Sequence, residues 1–195
     1  MIYVICRGLL RCIYAIIFPL KVVGRENVPK EGGVLLCANH ISLLDPITMG
    51  IKLKRQVKYM AKAELFTVPV LGWLVRQLGA FPVKRGGVSK ESIKTALQTL
   101  RGGDVMGIFP EGTRNSDVGV AKKGAASFAL RSGAAVVPAA IIGRYKLFRR
   151  MTIIYGAPID LSEFAGAGSE SLEAVTDVIM DRIREMLASG KPSSK

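Results

Sequence analysis

The stretch GVLLCANHISLLDP, residues 33–46, joins a short apolar run to a polar loop and the start of a helix. The run from Gly33 to Ala38 has the length of a strand that is buried on both faces. Asp45 followed by Pro46 is typical of a helix start, with aspartate as the cap and proline in the first turn. This order of strand, loop and helix predicts one unit of an α/β fold.

The same alternation continues along the rest of the chain. We expect further strands at 57–61, 81–83, 104–109, 134–142 and 151–155, and helices at 46–54, 64–78, 89–100, 123–131 and 169–187. This pattern predicts an α/β single domain, with a mixed, mostly parallel sheet flanked by helices. We divide the chain into an N-terminal helix at 1–21, the main domain at 22–188 and a frayed tail at 189–195.

The composition narrows the class of protein. The chain has 195 residues, with 28 Lys or Arg against 15 Asp or Glu and a net charge of +13. This surplus favours a negatively charged partner, which could be nucleic acid, an anionic bilayer, or an acidic protein or substrate. The three cysteines have no CxxC spacing, so they indicate neither a disulfide framework nor a zinc site. A single histidine excludes chemistry that needs two histidines in one chain.

The first twenty residues are apolar, but they are interrupted by Arg7 and Arg11. A membrane-spanning helix needs roughly 20 consecutive apolar residues, and the run from 12 to 20 is shorter and contains Pro19. The two arginines lie four positions apart and share one helical face. We therefore predict an amphipathic helix that lies in the membrane interface. A spanning or partly inserted helix, and a helix buried against the domain, are the alternatives.

His40 directly follows the buried strand, at the edge where open α/β sheets bind ligands. The short loop lets Asp45 cap the next helix with one carboxylate oxygen while the other accepts the imidazole N–H. That contact would fix the tautomer of His40 and leave its second ring nitrogen free as a general base. A structural histidine beside an ordinary helix cap explains the two residues equally well when they are taken alone.

The segment FPEGTRN, residues 109–115, follows another expected strand. It brings Glu111, Gly112 and Arg114 into one tight turn, where the glycine lets a ligand approach the backbone. The arginine fork suits phosphate oxygens, and Glu111 could hold that arginine or bind a substrate hydroxyl. A surface turn with a local ion pair is the simpler interpretation of this segment alone.

Two other basic pairs also stand where an anion could bind. Lys84 and Arg85 end an apolar segment, although charges in a solvated loop would look the same. Lys122 and Lys123 lie near an expected helix start, where cations are unfavourable unless an anion binds beside them.

Four segments occur in a fixed order: NHISLLDP at 39–46, GAFPVKRG at 79–86, IFPEGTRN at 108–115 and VVPAAIIG at 136–143. Together they resemble the four motif blocks of the glycerolipid acyltransferase family, in particular its 1-acylglycerol-3-phosphate acyltransferase branch. The HxxxxD block of the family falls on His40 and Asp45. Pro82 departs from the aliphatic or aromatic residue that is usual there, which we expect to alter local backbone shape and not the chemistry.

The resemblance implies an enzyme of phospholipid biosynthesis that moves a fatty acyl group from acyl-CoA or acyl-acyl carrier protein to lysophosphatidic acid. The acceptor is the sn-2 hydroxyl, and the product is phosphatidic acid. His40 acts as the base and Asp45 orients it, with no acyl-enzyme, metal or other cofactor. Pro138 is implied to form an acyl-donor or acyl-chain pocket. The residues implied to bind the acceptor phosphate are Arg85, Glu111, Gly112, Arg114, Lys122 and Lys123.

The same resemblance implies where the protein works and with what. The expected partners are an anionic membrane surface, lysophosphatidic acid and an acyl carrier protein, without nucleic acid. The expected location is the cytoplasmic face of the cell membrane, with peripheral or monotopic attachment. Residues 22–188 would then be the acyltransferase catalytic domain.

Three alternatives remain open at this point. The acceptor could be glycerol 3-phosphate or another lysolipid. A hydrolase could use Cys37 or Ser42 as its nucleophile, although Cys37 lies in a buried run and Ser42 has no G-x-S-x-G context. A non-catalytic module that binds anionic membranes could use the basic runs at 52–62 and 144–150.

Overall fold

A seven-stranded sheet forms the centre of the computed structural model. The structure describes residues 2–83, 90–111, 118–164, 166 and 171–193, with the backbone alone at 118–123. Helices cover both faces of the sheet, and the predicted α/β fold is confirmed.

The strands are β1 (Leu20–Val23), β2 (Val34–Ala38), β3 (Val57–Lys62), β4 (Ala80–Val83), β5 (Val105–Ile108), β6 (Ala135–Ile142) and β7 (Met151–Tyr155). The α-helices are α1 (Ile2–Ile17), α2 (Asp45–Gly50), α3 (Leu71–Gln77), α4 (Lys90–Arg101), α5 (Val118–Ser132) and α6 (Ser171–Ser189). Short 3-10 helices occupy Arg25–Asn27, Ala63–Phe66 and Ser162–Phe164.

The strand order is β1-β7-β6-β2-β5-β3-β4. The neighbours from β6 to β4 pair in parallel, whereas β7 runs antiparallel to β6 and β1 runs parallel to β7. The strands β2 to β6 therefore end at the same edge of the sheet, which we call the carboxyl edge, and β1 and β7 begin there. The loops that leave this edge are the ones that can share a ligand.

The central strand β2 is buried along its whole length because the sheet is covered on both faces. Leu35 and Cys37 belong to the core under α4, α5 and α6. Val34, Leu36 and Ala38 belong to the core on the other face, beside Met49 of α2 and Phe18 at the end of α1.

The N-terminal helix α1 turns its arginines toward the domain. Arg7 Nη1 donates to the carbonyl oxygens of Leu53 at 3.0 Å and Lys54 at 2.8 Å. Arg11 Nε donates to the carbonyl oxygen of Ile51 at 2.7 Å. The predicted helix is present, but its polar edge does not face water. Ile51 is the C-cap of α2, and Leu53 and Lys54 lie in the turn after it, so the guanidinium groups supply donors to carbonyls that have no intrahelical partner.

The opposite side of α1 is apolar and open to solvent. Its large exposed side chains are between 38% and 67% exposed: Ile5, Leu9, Ile13 and Ile16. Within the described residues, no helix has the length and apolar character needed to cross a membrane.

The helix expected at 64–78 is divided in the structure. A 3-10 turn ends at Phe66, and α3 begins only at Leu71. Pro69 explains the break, because proline has no N–H to donate and disfavours the helical conformation of the residue before it.

Both ends of the domain also differ from expectation. β1 was not predicted, because four residues carry too short a pattern to separate them from the apolar segment before them. The expected frayed tail packs on the domain as far as Ser193, which is only 4% exposed. Its carbonyl oxygen accepts the N–H of Ala157 at 3.3 Å.

Arg55 ties together three turns that lie apart in the sequence. Its guanidinium donates to the carbonyl oxygens of Pro29 at 2.9 Å and Gly32 at 2.7 Å, and also to that of Gly103. We expect Arg55→Ala to lower the free energy of unfolding by about 1–3 kcal/mol, because three carbonyl oxygens, two of them in partly buried contacts, lose a charged donor. The neighbouring exposed variant Lys54→Ala is the control and should change it by less than about 0.5 kcal/mol. Urea unfolding followed by circular dichroism measures both, and equal stability of the two variants would contradict this role.

Candidate active site

The end of β2 is fixed by a buried asparagine that the sequence did not single out. Asn39 is 5% exposed, and its side-chain amide donates to the carbonyl oxygen of Ile141 at 3.0 Å. The backbone N–H of Ile141 donates back to Asn39 Oδ1 at 2.8 Å. This reciprocal pair clamps the end of β2 to β6, and it sets the point at which the chain turns toward His40.

The loop after β2 folds around the carboxylate of Asp45, whose side chain is fully buried. Asp45 Oδ2 lies 2.7 Å from His40 Nδ1 and accepts the backbone N–H groups of Ile41 and Ser42, both at 2.6 Å. The other oxygen, Oδ1, accepts the hydroxyl of Tyr145 at 2.7 Å. The structure therefore brings His40 and Asp45 into direct contact.

One detail of the predicted contact is wrong: Asp45 does not cap α2. Leu44 occupies the cap position and makes no side-chain cap hydrogen bond. The Asp45 carboxylate points back over the preceding loop, where it accepts hydrogen bonds from two backbone N–H groups and a hydroxyl. Pro46 in the first turn has no N–H, so the start of the helix has one backbone N–H fewer that lacks an acceptor.

The hydrogen bonds decide the charge of Asp45. Burial alone would raise the pKa of this carboxyl group, but the hydrogen bonds from His40, Ser42, Tyr145 and Ile41 hold the pKa below its usual range. An ionised carboxylate can only accept, so His40 Nδ1 carries the proton of this contact. In the neutral imidazole, Nε2 is then the unprotonated nitrogen. His40 is 15% exposed, so Nε2 belongs to a side chain that solvent or a ligand can reach.

Phe109 provides a second support for the imidazole. It follows β5 at the carboxyl edge, and its ring stacks on His40 with centroids 4.3 Å apart and planes at 21°. The stack and the Asp45 hydrogen bond together restrict rotation of the imidazole. The sequence identified the segment 108–115 but not this role of its phenylalanine.

Tyr145 is the functional residue that sequence reasoning missed most clearly. The sequence places it in the basic run at 144–150, yet its hydroxyl reaches Asp45 from the loop between β6 and β7. Burial, and the neighbouring carboxylate, raise the pKa of Tyr145, so its hydroxyl stays protonated and remains a donor. Sequence offers no direct sign of this contact, because Tyr145 lies 100 positions from Asp45.

A hydrogen-bonded chain extends this contact to α1. Thr48 Oγ1 lies 2.8 Å from the Tyr145 hydroxyl and 3.2 Å from the Tyr14 hydroxyl. Because Tyr145 donates to the ionised Asp45, its oxygen accepts from Thr48. The Tyr14 hydroxyl then shares its one proton between Thr48 Oγ1 and the carbonyl oxygen of Leu44, which lies 3.4 Å away. The buried Tyr14 thereby links the N-terminal helix to the carboxylate beside His40.

The residues expected to bind phosphate are placed only in part. Glu111 is exposed, three residues beyond the end of β5 at the carboxyl edge. Arg85, Gly112 and Arg114 lie outside the described residues. Lys122 and Lys123 fall within α5, which begins at Val118, so they stand in its second turn and not at its start. The argument that a nearby helix end favours an anion at these two lysines is therefore wrong. The phosphate-binding roles of all six residues remain predictions.

Pro138 lies inside the sheet rather than at the carboxyl edge. It is buried in β6, in register with Cys37, and its carbonyl oxygen accepts the N–H of Gly156 at 2.8 Å. Its ring lies in the same narrow space as the side chain of Met186, where a Cβ on Gly156 would clash with both. These contacts make Pro138 part of the packing beneath α6, and its role in an acyl pocket stays a prediction.

The two candidate covalent nucleophiles do not form a nucleophilic site with His40. Cys37 is completely buried in the core beneath α4 to α6, and burial raises its thiol pKa to about 12. Such a thiol is inert at neutral pH. Ser42 Oγ accepts the backbone N–H of Leu44 at 3.3 Å, which is a local turn contact. In the described part of the chain, no group of three or more His, Cys, Asp or Glu residues could hold a metal ion.

A histidine with an unprotonated nitrogen at the carboxyl edge of an α/β sheet can accept a proton from a bound substrate. Comparisons with known proteins define the class of protein. The Acyltransferase family matches residues 19–142. The 1-acyl-sn-glycerol-3-phosphate acyltransferase of Bacillus subtilis (strain 168) is 37% identical over 94% of this chain and 96% of its own length. The chain belongs to the acyltransferase family.

Two further comparisons agree. The 1-acyl-sn-glycerol-3-phosphate acyltransferase of Streptococcus pneumoniae is 32% identical over 83% of this chain, which spans 63% of that protein. The crystal structure of the LPA acyltransferase PlsC from Thermotoga maritima matches with a TM-score of 0.62 at 27% identity, over 87% of this chain and 72% of that one. The resemblance to the 1-acylglycerol-3-phosphate acyltransferase branch is confirmed.

The single histidine makes the proton positions directly measurable. In protein labelled with ¹⁵N-histidine, at a pH where the ring is neutral, we expect Nδ1 to be protonated and Nε2 to be bare. Asp45→Asn should shift the population toward the other tautomer, because an amide oxygen is a weaker acceptor than a carboxylate. Asp160→Asn, which changes an exposed carboxylate, is the control. A wild-type ring protonated on Nε2 would contradict the assigned base.

Proposed function

We propose that this protein is a 1-acyl-sn-glycerol-3-phosphate acyltransferase, which acylates the sn-2 hydroxyl of lysophosphatidic acid to give phosphatidic acid. The observation that carries the proposal is the contact between His40 Nδ1 and the buried Asp45 carboxylate, at 2.7 Å. It leaves Nε2 as a base at the carboxyl edge. The similarity to enzymes of that name over nearly the whole chain supports the choice of substrate.

The reaction needs one proton transfer and one acyl transfer. His40 Nε2 removes the proton of the acceptor hydroxyl, and the oxygen attacks the thioester carbonyl carbon. The tetrahedral intermediate collapses, the carbon–sulfur bond breaks and the ester remains. The imidazolium returns its proton to the leaving thiolate, so His40 ends in its starting state. The ionised Asp45 stabilises the imidazolium during this cycle, as a carboxylate does for a histidine base.

The acceptor phosphate is held, in this proposal, by the segments that follow β4 and β5. Arg85 comes two residues after Val83, and Arg114 comes three residues after Glu111. Both strands end at the same edge as β2, which supports a shared site with His40. Arginine is suited to this task because its planar fork binds two phosphate oxygens at once. Glu111, Gly112, Lys122 and Lys123 would complete the site.

The donor is an acyl-CoA or an acyl-acyl carrier protein, and the chemistry needs no metal or other cofactor. The thioester is already an activated acyl group, so a single positioned base is sufficient for the transfer. The buried Cys37 and the locally bonded Ser42 favour direct attack by the acceptor over an acyl-enzyme.

The protein acts at an anionic membrane, with the cytoplasmic face as the proposed location. The apolar outer side of α1, from Ile5 to Ile16, supports peripheral or monotopic attachment. Because Arg7 and Arg11 bind carbonyl oxygens of the domain, the helix can bury its outer side in lipid without taking a charge with it. Nucleic acid is not among the proposed partners.

Substitutions at the base should separate catalysis from binding. We expect His40→Ala to reduce kcat by at least about 10³-fold, because the general base is lost. Tyr145→Phe should reduce kcat about tenfold with little change in KM, since Asp45 loses one of its hydrogen bonds but His40 stays in place. Initial rates with lysophosphatidic acid, using acyl-CoA and acyl-acyl carrier protein in parallel, measure both effects.

The exposed variant Lys191→Ala serves as the control and should behave as wild type. Glycerol 3-phosphate and a lysophosphatidylcholine acceptor belong in the same assay. If either is a better substrate than lysophosphatidic acid, the proposed acceptor is wrong. If His40→Ala keeps full acyl transfer, the proposed mechanism is wrong.

The outer side of α1 gives a separate prediction about attachment. We expect Ile5→Ser combined with Leu9→Ser to weaken binding to phosphatidylglycerol-containing vesicles about tenfold or more, because two apolar side chains lose their burial in lipid. Both residues are more than 60% exposed, at 62% and 63%, so the fold should tolerate the change. Leu187→Ser on α6 is the matched control. Unchanged co-sedimentation of the α1 variant would rule out this helix as the anchor.

A further inference from the structure

The loop between β6 and β7, residues 143–150, exposes two large apolar side chains at its tip. Leu147 is 67% exposed and Phe148 is 71% exposed. Phe148 also has a φ of 62°, in the left-handed region that a bulky residue rarely adopts. An aromatic residue held in an unfavourable backbone conformation, with most of its side chain in water, indicates a partner outside the fold.

The loop is held firmly where it leaves the domain. The backbone N–H of Phe148 donates to the carbonyl oxygen of Ile17, at the end of α1, at 2.7 Å. Tyr145 contacts the ring of Phe18 edge to face, with centroids 5.6 Å apart, and also binds Asp45. The loop below the tip is therefore anchored both to α1, the membrane helix proposed above, and to Asp45 of the His40–Asp45 pair.

Four exposed cations flank this tip in the sequence: Arg144, Lys146, Arg149 and Arg150. The loop sequence from 143 to 150 has no acidic residue that could neutralise them. The other basic run, at 52–62, is different, because Arg55 binds backbone carbonyls and Lys58 pairs with Asp104 at 2.6 Å. The cations of the β6–β7 loop thus form a surface that matches a negatively charged partner.

Other apolar side chains are exposed at the same edge of the sheet. Ile41 and Leu43, in the loop that holds His40, are 41% and 86% exposed. Ile16, in the last turn of α1, is 67% exposed. Since β2 and β6 end at the carboxyl edge and α1 meets the β6–β7 loop there, these side chains and the tip are exposed at one edge of the sheet.

We propose that the β6–β7 loop is a second membrane-insertion element. Leu147 and Phe148 enter the acyl region of an anionic bilayer, and the four cations bind the lipid phosphates around them. An apolar tip flanked by cations matches a bilayer, which has an apolar interior beneath charged headgroups. Binding of an acidic carrier protein would need only the cations. The proposal rests on the membrane attachment proposed for α1. It places the carboxyl edge, with His40, against the lipid surface from which a lysolipid acceptor comes.

The first test removes the tip without straining the loop. Leu147→Ser combined with Phe148→Gly should weaken binding to phosphatidylglycerol-containing vesicles about tenfold. Glycine adopts the left-handed conformation readily, so thermal stability should not fall. Leu187→Ser, an exposed leucine on the opposite face of the sheet, is the control and should bind as wild type.

The second test concerns the cations. Arg149→Ala combined with Arg150→Ala should weaken binding to anionic vesicles about tenfold at low salt, and the loss should shrink as salt rises. It should have no effect on vesicles of phosphatidylcholine alone. Lys94→Ala combined with Lys191→Ala removes the same charge from other exposed positions and should cause a smaller loss. Equal losses for the two double variants would show a general charge effect and overturn the proposed site.

The third test reports insertion directly. Phe148→Trp in a Trp73→Phe background leaves one tryptophan, and brominated lipids in anionic vesicles should quench its fluorescence. Leu187→Trp in the same background should not be quenched. If wild type binds vesicles but the Trp at position 148 is not quenched, or the tip variant binds normally, this inference fails alone. If wild type binds no vesicle, the membrane attachment proposed for α1 fails with it. Loss of acyl carrier protein binding with unchanged vesicle binding would assign the loop to that protein instead.

Discussion

The buried negative charge of Asp45 is the constraint around which the site is built. Its side chain is completely buried, and an ion in such a place costs several kcal/mol unless hydrogen bonds replace water. Four donors do so, from His40, Ile41, Ser42 and Tyr145. They come from two loops that are far apart in the chain. The hydrogen bonds to this one carboxylate therefore bring the two loops together, and they also fix the orientation of the imidazole.

The same requirement links the base to the N-terminal helix. The Tyr145 hydroxyl donates to Asp45, so its oxygen accepts from Thr48, and Thr48 in turn contacts the Tyr14 hydroxyl of α1. Arg7 and Arg11 add charged hydrogen bonds to carbonyls just beyond α2. The polar side of α1 is thus occupied by the domain, and only an apolar side remains for the surroundings. In the membrane attachment proposed for α1, the helix and the base therefore belong to one hydrogen-bonded framework.

Much of the fold was predictable because it depends on local pattern. The buried runs at β2, β5 and β6 and the helical periodicity of α6 are visible in the sequence alone. The failures were of two physical kinds. β1 is too short to show a period, and it exists because β7 offers it a parallel edge. The helix expected at 64–78 followed the apolar pattern, but that pattern does not show that Pro69 interrupts the helical backbone.

The sequence by itself predicted that His40 and Asp45 could meet, because only four residues of loop separate them, and its four motif blocks indicated the family. Tertiary structure alone decided what supports the pair. Asn39 finds Ile141, Phe109 stacks on His40, and Tyr145 reaches Asp45, which is 100 positions away. It also decided that Arg7 and Arg11 face the protein. Such contacts depend on which strands become neighbours, and the order of a sheet is set by packing of the whole chain rather than by any one segment of it.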